Sequence, residues 1–370
     1  MKLPANAEMH LLIIWQNARY RQAEILQEVA KAMTIVEVLD VEWSKDKFSE
    51  NMTRFYGQKL PSQSHKEKHC GKGPFLLVIT RDDQPQYLER DTISRSIELV
   101  NTNMFDLKTK LRKMTGGGHR IHATNDPIET AHDLSLLLGM SLDRYLESAP
   151  ERWNGNIRFF KQDLAGARGW ESAEQMFEIL NNTIKYAVLR NFQSFPEKLT
   201  LAGHEDVDFI SDDYENFIYL INAKKVVPEP YRVQHEVSIN GNTTFIDVRS
   251  TSDGYYDPKW ARALLDDRIY WNGLYIPSGQ RYIYALVYHA LIHKWKISPD
   301  YLVLIKEKLG TEDLAQVKSM LDRFMAIEGF KYVEPNDLSV GFNGQPWSLR
   351  RTINEYLMKM KRLKMRLASV

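Results

Sequence analysis

The amino-acid sequence predicts a mixed α/β (α+β) protein with more than one domain. Strand-like and helix-like segments alternate over roughly the first 140 residues, which is typical of one compact α/β domain. A second group of strands includes an Asn-Gly hairpin turn, and beyond about 260 the apolar periodicity is mainly helical. We therefore predict domains over 1–148 and 149–295, followed by a helical C-terminal region over 296–370.

The N-terminal domain begins with an apolar strand, HLLIIW, and a helix whose apolar residues recur at helical spacing. Two further strands have the sequences TIVEVLDVEW and PFLLVITRD, and a polar helix and the basic loop SHKEKHCGKG lie between them. Another strand and helix are predicted over 96–114. The last helix, PIETAHDLSLLL, has Pro127 at its start and Gly139 just past its end, the positions that these residue types favour.

The second domain is predicted to begin with the helix ESAEQMFEILNNTIK, followed by the strands YAVLRNF and VDFI. The helix DYENFIYLINAKKV comes next, and then a hairpin with Asn240-Gly241 at its turn. At 347–370, leucines and methionines recur at helical spacing among basic residues. We predict a C-terminal amphipathic helix that docks on the core or, alternatively, contacts a membrane surface or a polyanion.

The composition excludes several functional classes. The formal net charge is +1, so no general attraction to nucleic acid is expected. The single cysteine, Cys70, excludes a disulfide framework within the chain and favours a reducing compartment. The apolar run at 11–15 is too short for a signal peptide or a membrane span. We therefore predict a cytoplasmic protein that binds no specific nucleic acid, and the sequence leaves its oligomeric state open.

Two acidic residues, Asp206 and Asp208, occupy alternate positions in a segment that is otherwise strand-like. Both carboxylates would project into one cleft, because side chains two residues apart on a strand share a face. Asp247 is a third acid in another apolar strand, where a carboxylate needs a partner. Since Mg²⁺ prefers oxygen ligands, we predict that these three aspartates form a magnesium site. The alternative is a set of acids at a strand end, each paired with lysine or arginine.

Residues 170–295 resemble the nucleotidyltransferase superfamily, and most of all a bacterial group found among capsule and lipopolysaccharide genes. The segments YAVLRNF, HEDVDFI, DVRSTSDGYYDPKW and YALVYHALIHK carry the resemblance. It implies Mg²⁺-dependent transfer of a nucleotidyl or phosphoryl group from a nucleoside triphosphate or nucleotide sugar. The acceptor would be a sugar or polyol in surface-polysaccharide synthesis. Asp206 and Asp208 would bind the metal, and Asp247 would complete the site and accept the proton of the acceptor hydroxyl.

A nucleotidyltransferase site also needs cationic or amide groups that bind the phosphates of the nucleotide. The segment LRNF stands where the superfamily carries a Gly-Ser turn, so we expect Arg190 and Asn191 to replace it, assisted by Arg249 or Lys185. His289 and His293 lie four residues apart on an apolar helix, which suits zinc geometrically. No third ligand stands out, so we predict a packed, hydrogen-bonded histidine pair.

A second candidate site follows the glycine-rich turn TGGGHRIHATND. His122 is predicted at the end of a short strand, beside a helix start whose backbone N–H groups near 123–128 could bind an anion. A histidine in this position can act as a nucleophile toward phosphorus. The alternatives are a site that binds phosphate or a nucleotide without transfer, and a histidine that only satisfies its neighbours in a tight turn.

The order of elements over 8–140 resembles the nucleoside diphosphate kinase family, which has a ferredoxin-like α/β sandwich. The segment IHATND has the spacing of that family's active-site histidine and last helix, which implies that His122 accepts the phosphoryl group. Gln16-Asn17-Ala18 stands where the family has Lys-Pro-Asp, and His119 stands where it has asparagine. Positive charge would then come from other basic residues, namely Arg19, Lys66, Lys68, Lys72, Arg112 and Arg120. A third hypothesis is that both domains bind nucleotides without catalysis and serve in sensing or assembly.

Overall fold

The computed structural model describes residues 1–92, 97–199, 206–226, 233–294 and 296–342, together with Tyr356 and Met360. The chain divides into two compact units. Unit 1 comprises Met1–Trp170 and Glu178–Thr183, and unit 2 comprises Glu171–Phe177 and Ile184–Val370. Both units mix strands and helices, so the predicted α+β class is confirmed. The domain boundaries at 148 and 295 stay predictions.

The described strands of unit 1 are β1 (Glu8–Ile14), β2 (Thr34–Glu42), β3 (Phe75–Asp82), β4 (Tyr87–Asp91), β5 (Ile97–Asn101), β6 (Ile121–Ala123) and β7 (Arg158–Lys161). Its helices are α1 (Gln22–Ala32), α2 (Phe48–Tyr56), α3 (His65–Cys70), α4 (Thr102–Met114), α5 (Pro127–Leu138) and α6 (Leu142–Ser148). A 3₁₀ helix covers Gln16–Arg21, and α7 (Ala173–Thr183) includes residues of both units.

The main sheet of unit 1 has the strand order β6-β1-β3-β2-β7. The pairs β6/β1, β1/β3 and β3/β2 are antiparallel, and β7 lies parallel to β2 at the edge. β1 and β2 run parallel to each other, and β3 lies between them. The four strands β6, β1, β3 and β2 therefore form the split βαβ arrangement of the ferredoxin-like topology, as predicted. β4 and β5 form a separate antiparallel hairpin.

The core of unit 1 lies between one face of this sheet and the helices α1 and α4. Inward residues of β1, such as Leu12 and Ile14, pack with Val29 of α1 and Leu111 of α4, and all four are fully buried. The helix α5 begins at Pro127 and ends at Leu138, and the C-cap Gly139 adopts a positive φ of 70°. This agrees with the predicted boundaries, because proline suits the first helical position and glycine the left-handed C-cap.

The described strands of unit 2 are β8 (Tyr186–Arg190), β9 (Asp206–Ser211), β10 (Lys224–Lys225), β11 (Gln234–Ile239), β12 (Asn242–Ser250), β13 (Ile269–Trp271) and β14 (Leu274–Ile276). Its helices are α8 (Tyr214–Leu220), α9 (Pro258–Asp266), α10 (Gly279–Tyr288), α11 (Pro299–Leu309) and α12 (Leu314–Glu328), with a π-helix at His289–His293.

The sheet of unit 2 has the order β10-β11-β12-β9-β8 and is mixed, because β9 and β12 are parallel while the other neighbours are antiparallel. The turn between β11 and β12 has positive φ at Asn240 and Gly241, 50° and 73°, as the Asn-Gly pair predicts. A core of buried aromatic residues, including Trp260, Tyr288 and Phe324, lies among the helices of this unit.

In the described part of the chain, no helix combines the length and apolarity needed to cross a membrane. The predicted basic helix over 347–370 lies outside the described residues, apart from Tyr356 and Met360.

Candidate functional site

His122 lies on β6, the edge strand of the unit 1 sheet, opposite Ile13 of β1. Its side chain is 13 % exposed, so the ring is enclosed but reachable from solvent. The rings of Phe55 and Tyr56, at the end of α2, contact it edge-on at centroid distances of 5.3 and 5.8 Å. The strand end, α2 and α5 therefore surround one imidazole.

Asp133 fixes the orientation of this imidazole. Its Oδ2 lies 2.6 Å from Nε2 of His122, and its Oδ1 lies 2.9 Å from Nδ1 of His132. Burial alone would raise the pKa of Asp133, but the adjacent His122 and His132 outweigh it and hold that pKa below its usual value. The ionised carboxylate accepts a hydrogen bond from Nε2–H of His122. Among the described residues, Nδ1 of His122 has no hydrogen-bond partner.

Sequence reasoning did not identify Asp133. The available signal was a His-Asp pair inside the otherwise apolar segment AHDLSLLL. A charged residue on the buried side of such a helix needs a partner, and the partner is the histidine that comes eleven positions earlier in the chain.

The helix-start amides that we expected to bind an anion are already occupied. The amide of Glu129 donates to Oδ1 of the N-cap Asp126 at 2.8 Å, and the amide of Asn125 donates to Oε2 of Glu129 at 2.6 Å. The amide of Thr124 donates to the carbonyl of Leu11 at 3.0 Å. This reciprocal capping satisfies the helix start internally, so the expectation was wrong for the amides of Thr124 and Asn125, which lie within the predicted range of 123–128.

Glu129 also brings a second carboxylate to the site. Its Oε1 lies 4.0 Å from Nε2 of His122. Among the described residues, one group of histidine, cysteine and acidic side chains is compact enough to hold a metal ion. It consists of His122, Glu129 and Asp133, whose ligand atoms lie within 4.8 Å of one another. The direct hydrogen bond between His122 and Asp133 shows that these groups also satisfy each other without an ion.

Two of the six predicted basic residues lie near His122. The ammonium of Lys66 lies 3.4 Å from the centre of the Tyr56 ring, which itself contacts His122. Arg112 donates from Nε to the carbonyl of Ile121 at 3.1 Å, next to His122. Burial and, to a smaller degree, the nearby Arg112 lower the pKa of Lys66 to about 8.

Three of the other four predicted basic residues, Arg19, Lys72 and Arg120, have different partners. Arg19 forms two hydrogen bonds of 2.8 Å with Asp40, and Lys72 pairs with Glu67 at 2.8 Å. Arg120 donates to the carbonyl of Thr115. Gln16 and Asn17 bind backbone groups at Gly73, Lys68 and His69, so they hold α3 in place.

Lys108 is a further basic residue at the site that the sequence reasoning missed. Its ammonium is buried and donates to the carbonyl of Ala123 at 3.0 Å and to the side chain of Asn125. Burial lowers the pKa of Lys108 to about 8. Lys108 and Arg112 lie one turn apart on α4, and this i, i+4 spacing was the available signal.

The three aspartates of the predicted metal site lie on β9 and β12, which are neighbouring strands of the unit 2 sheet. Asp208 on β9 lies directly opposite Asp247 on β12 in parallel register, and Asp206 precedes Asp208 by two residues. Asp208 binds the guanidinium of Arg190, and both side chains are at most 6 % exposed. Nη2 of Arg249 donates to Asp247 at 3.3 Å. Nη1 of the same arginine donates to Asp337 at 2.8 Å.

These arginines compensate the negative charge where we predicted a metal ion. Burial alone would lower the pKa of Arg190, but Asp208 outweighs it and raises that pKa well above its ordinary value. In the described residues, Asp206, Asp208 and Asp247 do not form a group with all ligand atoms within 4.8 Å. The side chains as arranged therefore fit a network of ion pairs better than a resident Mg²⁺.

The remaining predicted residues of unit 2 are dispersed. Lys185 pairs with the exposed Asp266, and Asn191 follows β8 with a positive φ of 64°. His289 and His293 are both buried, and Nδ1 of His289 lies 2.5 Å from the hydroxyl of Tyr255. Asp337, the buried partner of Arg249, comes from the loop that follows helix α12, and no sequence signal pointed to it.

No protein-family model matches the chain, and no curated protein matches it. The solved structures include a similar chain, an orthorhombic crystal form of the Aquifex aeolicus nucleoside diphosphate kinase. The match has 16 % sequence identity, covers 35 % of this chain and 92 % of that chain, and has a TM-score of 0.24. A likeness at this TM-score carries no argument about this chain, so a functional proposal has to rest on the residues described above.

Proposed function

We propose that unit 1 transfers a phosphoryl group from a nucleoside triphosphate through a phosphohistidine at His122. The observation that carries the proposal is the 2.6 Å hydrogen bond between Nε2 of His122 and the buried Asp133. It fixes the proton on Nε2 and leaves the lone pair of Nδ1 as the nucleophile.

The proposed step is a displacement at the terminal phosphorus. Nδ1 of His122 attacks the γ-phosphorus, and the bond from that phosphorus to the bridging oxygen breaks. The bonding electrons leave with the nucleoside diphosphate. The imidazole ring, which gains positive charge as the new bond forms, keeps its Nε2–H bonded to the Asp133 carboxylate. In the second step an oxygen nucleophile of the acceptor forms a new P–O bond, the P–N bond breaks, and its electron pair returns to Nδ1 of His122, which completes the transfer.

The charges around His122 support this role. Asp133 stabilises the positive ring from one side, while Lys66 and Arg112 supply positive charge for the phosphate oxygens. Phe55 and Tyr56 cover the ring edges and limit access of water.

Incubation with γ-³²P-labelled ATP and GTP tests the proposal. We expect label on the protein that is lost in acid and stable in alkali, as for a phosphoimidazole. His122→Ala should abolish the label. His132→Asn is the matched control, because His132 binds the same carboxylate without being the proposed acceptor. Equal label in His122→Ala, or none with any nucleoside triphosphate, would contradict the proposal.

A second candidate is the metal-dependent nucleotidyl transfer to a sugar or polyol that the sequence predicts for unit 2. The parallel pairing of Asp208 with Asp247 favours it, because both acids lie at the same level of the sheet. The ion pairs with Arg190 and Arg249 oppose it. Calorimetry with Mn²⁺ would decide. This candidate is supported if the wild type binds Mn²⁺ and both Asp206→Asn and Asp247→Asn weaken that binding. Mn²⁺ binding that neither substitution changes counts against it.

Nucleotide binding without transfer, as the third hypothesis has it, gives a different pattern. Calorimetry would detect ATP or GTP binding to unit 1 residues, and no label would appear on His122. Weakened binding in Arg112→Met would then assign the nucleotide to the same site.

A further inference from the structure

A cavity of about 920 Å³ opens at one end of unit 1, between α1, α4 and the ends of strands β2 and β3. Met33, Ile35 and Leu107 supply apolar lining, and all three are buried members of the core of this unit. Trp153, which follows α6 in the chain, forms a further part of the wall. We call this space the α1–α4 cavity.

The α1–α4 cavity is separate from His122 both along the sheet and across it. Arg81, a lining residue, pairs with Met9 near the start of β1, whereas His122 pairs with Ile13 near the end of that strand. Four residues of a strand span about 13 Å. Both neighbours of His122 on β6 pack into the core with α1 and α4, so His122 faces the opposite side of the sheet. The cavity is therefore a second site of unit 1.

The charges that line the cavity balance each other. The wall carries four acidic and four basic side chains, namely Glu28, Asp82, Asp83, Asp106, Lys31, Arg81, Lys110 and Arg152. Glu28 pairs with Lys31 at 2.8 Å and also with Lys110, and Arg81 pairs with Asp83 at 2.6 Å. A wall with no excess of either sign does not favour a ligand of large net charge.

The buried acid of the wall is also satisfied by the protein. The carboxylate of Asp82 accepts from the side-chain amides of Asn101 at 2.9 Å and Asn103 at 3.0 Å. In the part of the chain that the structure describes, the acids of this cavity do not form a group compact enough for a metal ion. Neither a polyanion nor a metal ion is therefore the ligand that this wall fits.

Four polar side chains of the wall remain available to a ligand. They are Asp106, Arg152, Gln84 and Gln86, and none of them has a hydrogen-bond or ion-pair partner for its side chain among the described residues. A carboxylate accepts hydrogen bonds, a guanidinium donates them, and the two amides do both. The set thus complements a neutral ligand whose groups both donate and accept, as hydroxyl groups do.

Trp153 adds an apolar surface to this polar set. Its backbone amide donates to the carbonyl of Ile35 at 2.9 Å, and its indole N–H donates to the carbonyl of Asn156 at 2.5 Å. These hydrogen bonds hold the residue in place and use the single donor of the ring, so the ring offers a ligand its apolar surface. The C–H face of a pyranose ring is apolar and can pack on such a surface.

We propose that the α1–α4 cavity binds a neutral carbohydrate, with a pyranose ring on Trp153 and hydroxyl groups on Asp106, Arg152, Gln84 and Gln86. A carbohydrate combines apolar ring faces with many groups that both donate and accept, and it carries no net charge. The volume of about 920 Å³ lies in the range of about 300–1,000 Å³ for small-molecule sites and accommodates a disaccharide. The proposal does not depend on phosphoryl transfer at His122.

A glycan array tests the proposal on the full chain. The array presents neutral oligosaccharides together with sialylated and sulfated ones, and bound protein is measured at graded protein concentrations. We expect the wild type to bind a subset of the neutral oligosaccharides.

Variants then place this binding in the cavity. Asp106→Asn should weaken it about tenfold, because a neutral acceptor replaces a charged one. Asp143→Asn is the matched control, since Asp143 is also an exposed aspartate on a helix of unit 1 but does not line the cavity. Trp153→Ala should abolish binding, and Trp153→Phe, which keeps an aromatic ring, should retain most of it. Because Asp106 is exposed, its replacement tests the site even if Trp153→Ala does not fold.

Several results would overturn the inference. The wild type could bind no neutral oligosaccharide, it could bind only sialylated or sulfated ones, or Asp106→Asn and Trp153→Ala could both bind like the wild type. His122→Ala separates this proposal from the proposed function, because it should abolish the label from nucleoside triphosphates and leave the binding of neutral oligosaccharides unchanged. Loss of oligosaccharide binding in His122→Ala would contradict the assignment to a separate cavity.

Discussion

Replacement of Asp208 by alanine tests whether the acids of unit 2 serve an ion-pair network. The change removes the carboxylate that binds Arg190 and leaves the guanidinium buried, with its hydrogen bond of 3.1 Å to the Tyr255 hydroxyl. Both partners of the pair are at most 6 % exposed, so water cannot replace the lost carboxylate. Breaking a buried pair in this way typically costs about 3–5 kcal/mol.

Hydrogen exchange followed by mass spectrometry measures this cost locally in the full chain. Amides of β8 and β9 flank the pair, and a loss of about 3–5 kcal/mol increases their exchange rates by about two to four orders of magnitude. Asp266→Ala is the matched control, since it removes the acid of the exposed Lys185–Asp266 pair beside β8. An exposed pair contributes about 1 kcal/mol or less, so that variant should change exchange by a factor of about five or less.

The double variant Arg190→Met/Asp208→Leu completes the test. It removes both charges and should restore most of the protection, because apolar residues of similar size can replace a buried pair. Unchanged exchange in Asp208→Ala would refute the reasoning. Protection of the wild type, but not of Asp208→Ala, by Mg²⁺ would refute it too, because Asp208 would then act as a metal ligand.

Three further changes probe unit 1. Asp133→Asn should slow the labelling of His122 about 10- to 100-fold, since it replaces a charged acceptor by a neutral one, and an unchanged rate would remove Asp133 from the mechanism. Gly118→Ala should lower the free energy of unfolding by about 1–3 kcal/mol more than the control Gly117→Ala. Both positions have positive φ, but only Gly118 packs against His69. Equal losses of unfolding free energy in urea titrations would contradict this prediction. The pKa of Lys108 is lowered to about 8, below the value of about 10.4 in an unfolded chain, so between these pH values the unfolded state binds more protons and stability rises with pH. Lys108→Met should lose this slope of at most about 1.4 kcal/mol per pH unit, and equal slopes in wild type and variant, measured by urea unfolding at pH 8 and pH 9.5, would exclude the buried ammonium as its cause.

The sequence by itself determined the local elements of the protein. Apolar runs and helical periodicity predicted β1, α1, β3 and α5, and the Asn240-Gly241 pair predicted the hairpin of β11 and β12. Residues adjacent in the chain decide such features through backbone preferences and capping, so a single sequence is sufficient. The alternation that places Asp206 and Asp208 on one face of a strand is of the same kind.

Only the tertiary structure decided which partners the charged residues have. Asp133 reaches His122 because α5 packs on β1, the neighbour of β6 in the sheet, and Arg249 reaches Asp337 across 88 positions of the chain. The same long-range packing places Arg190 on Asp208, and it leaves Lys66 and Arg112 near His122 while Arg19 and Lys72 find acids elsewhere. The physical reason is that a buried charge is stabilised by whichever opposite charge the fold brings within a few ångströms, and spacing along the chain does not contain that information.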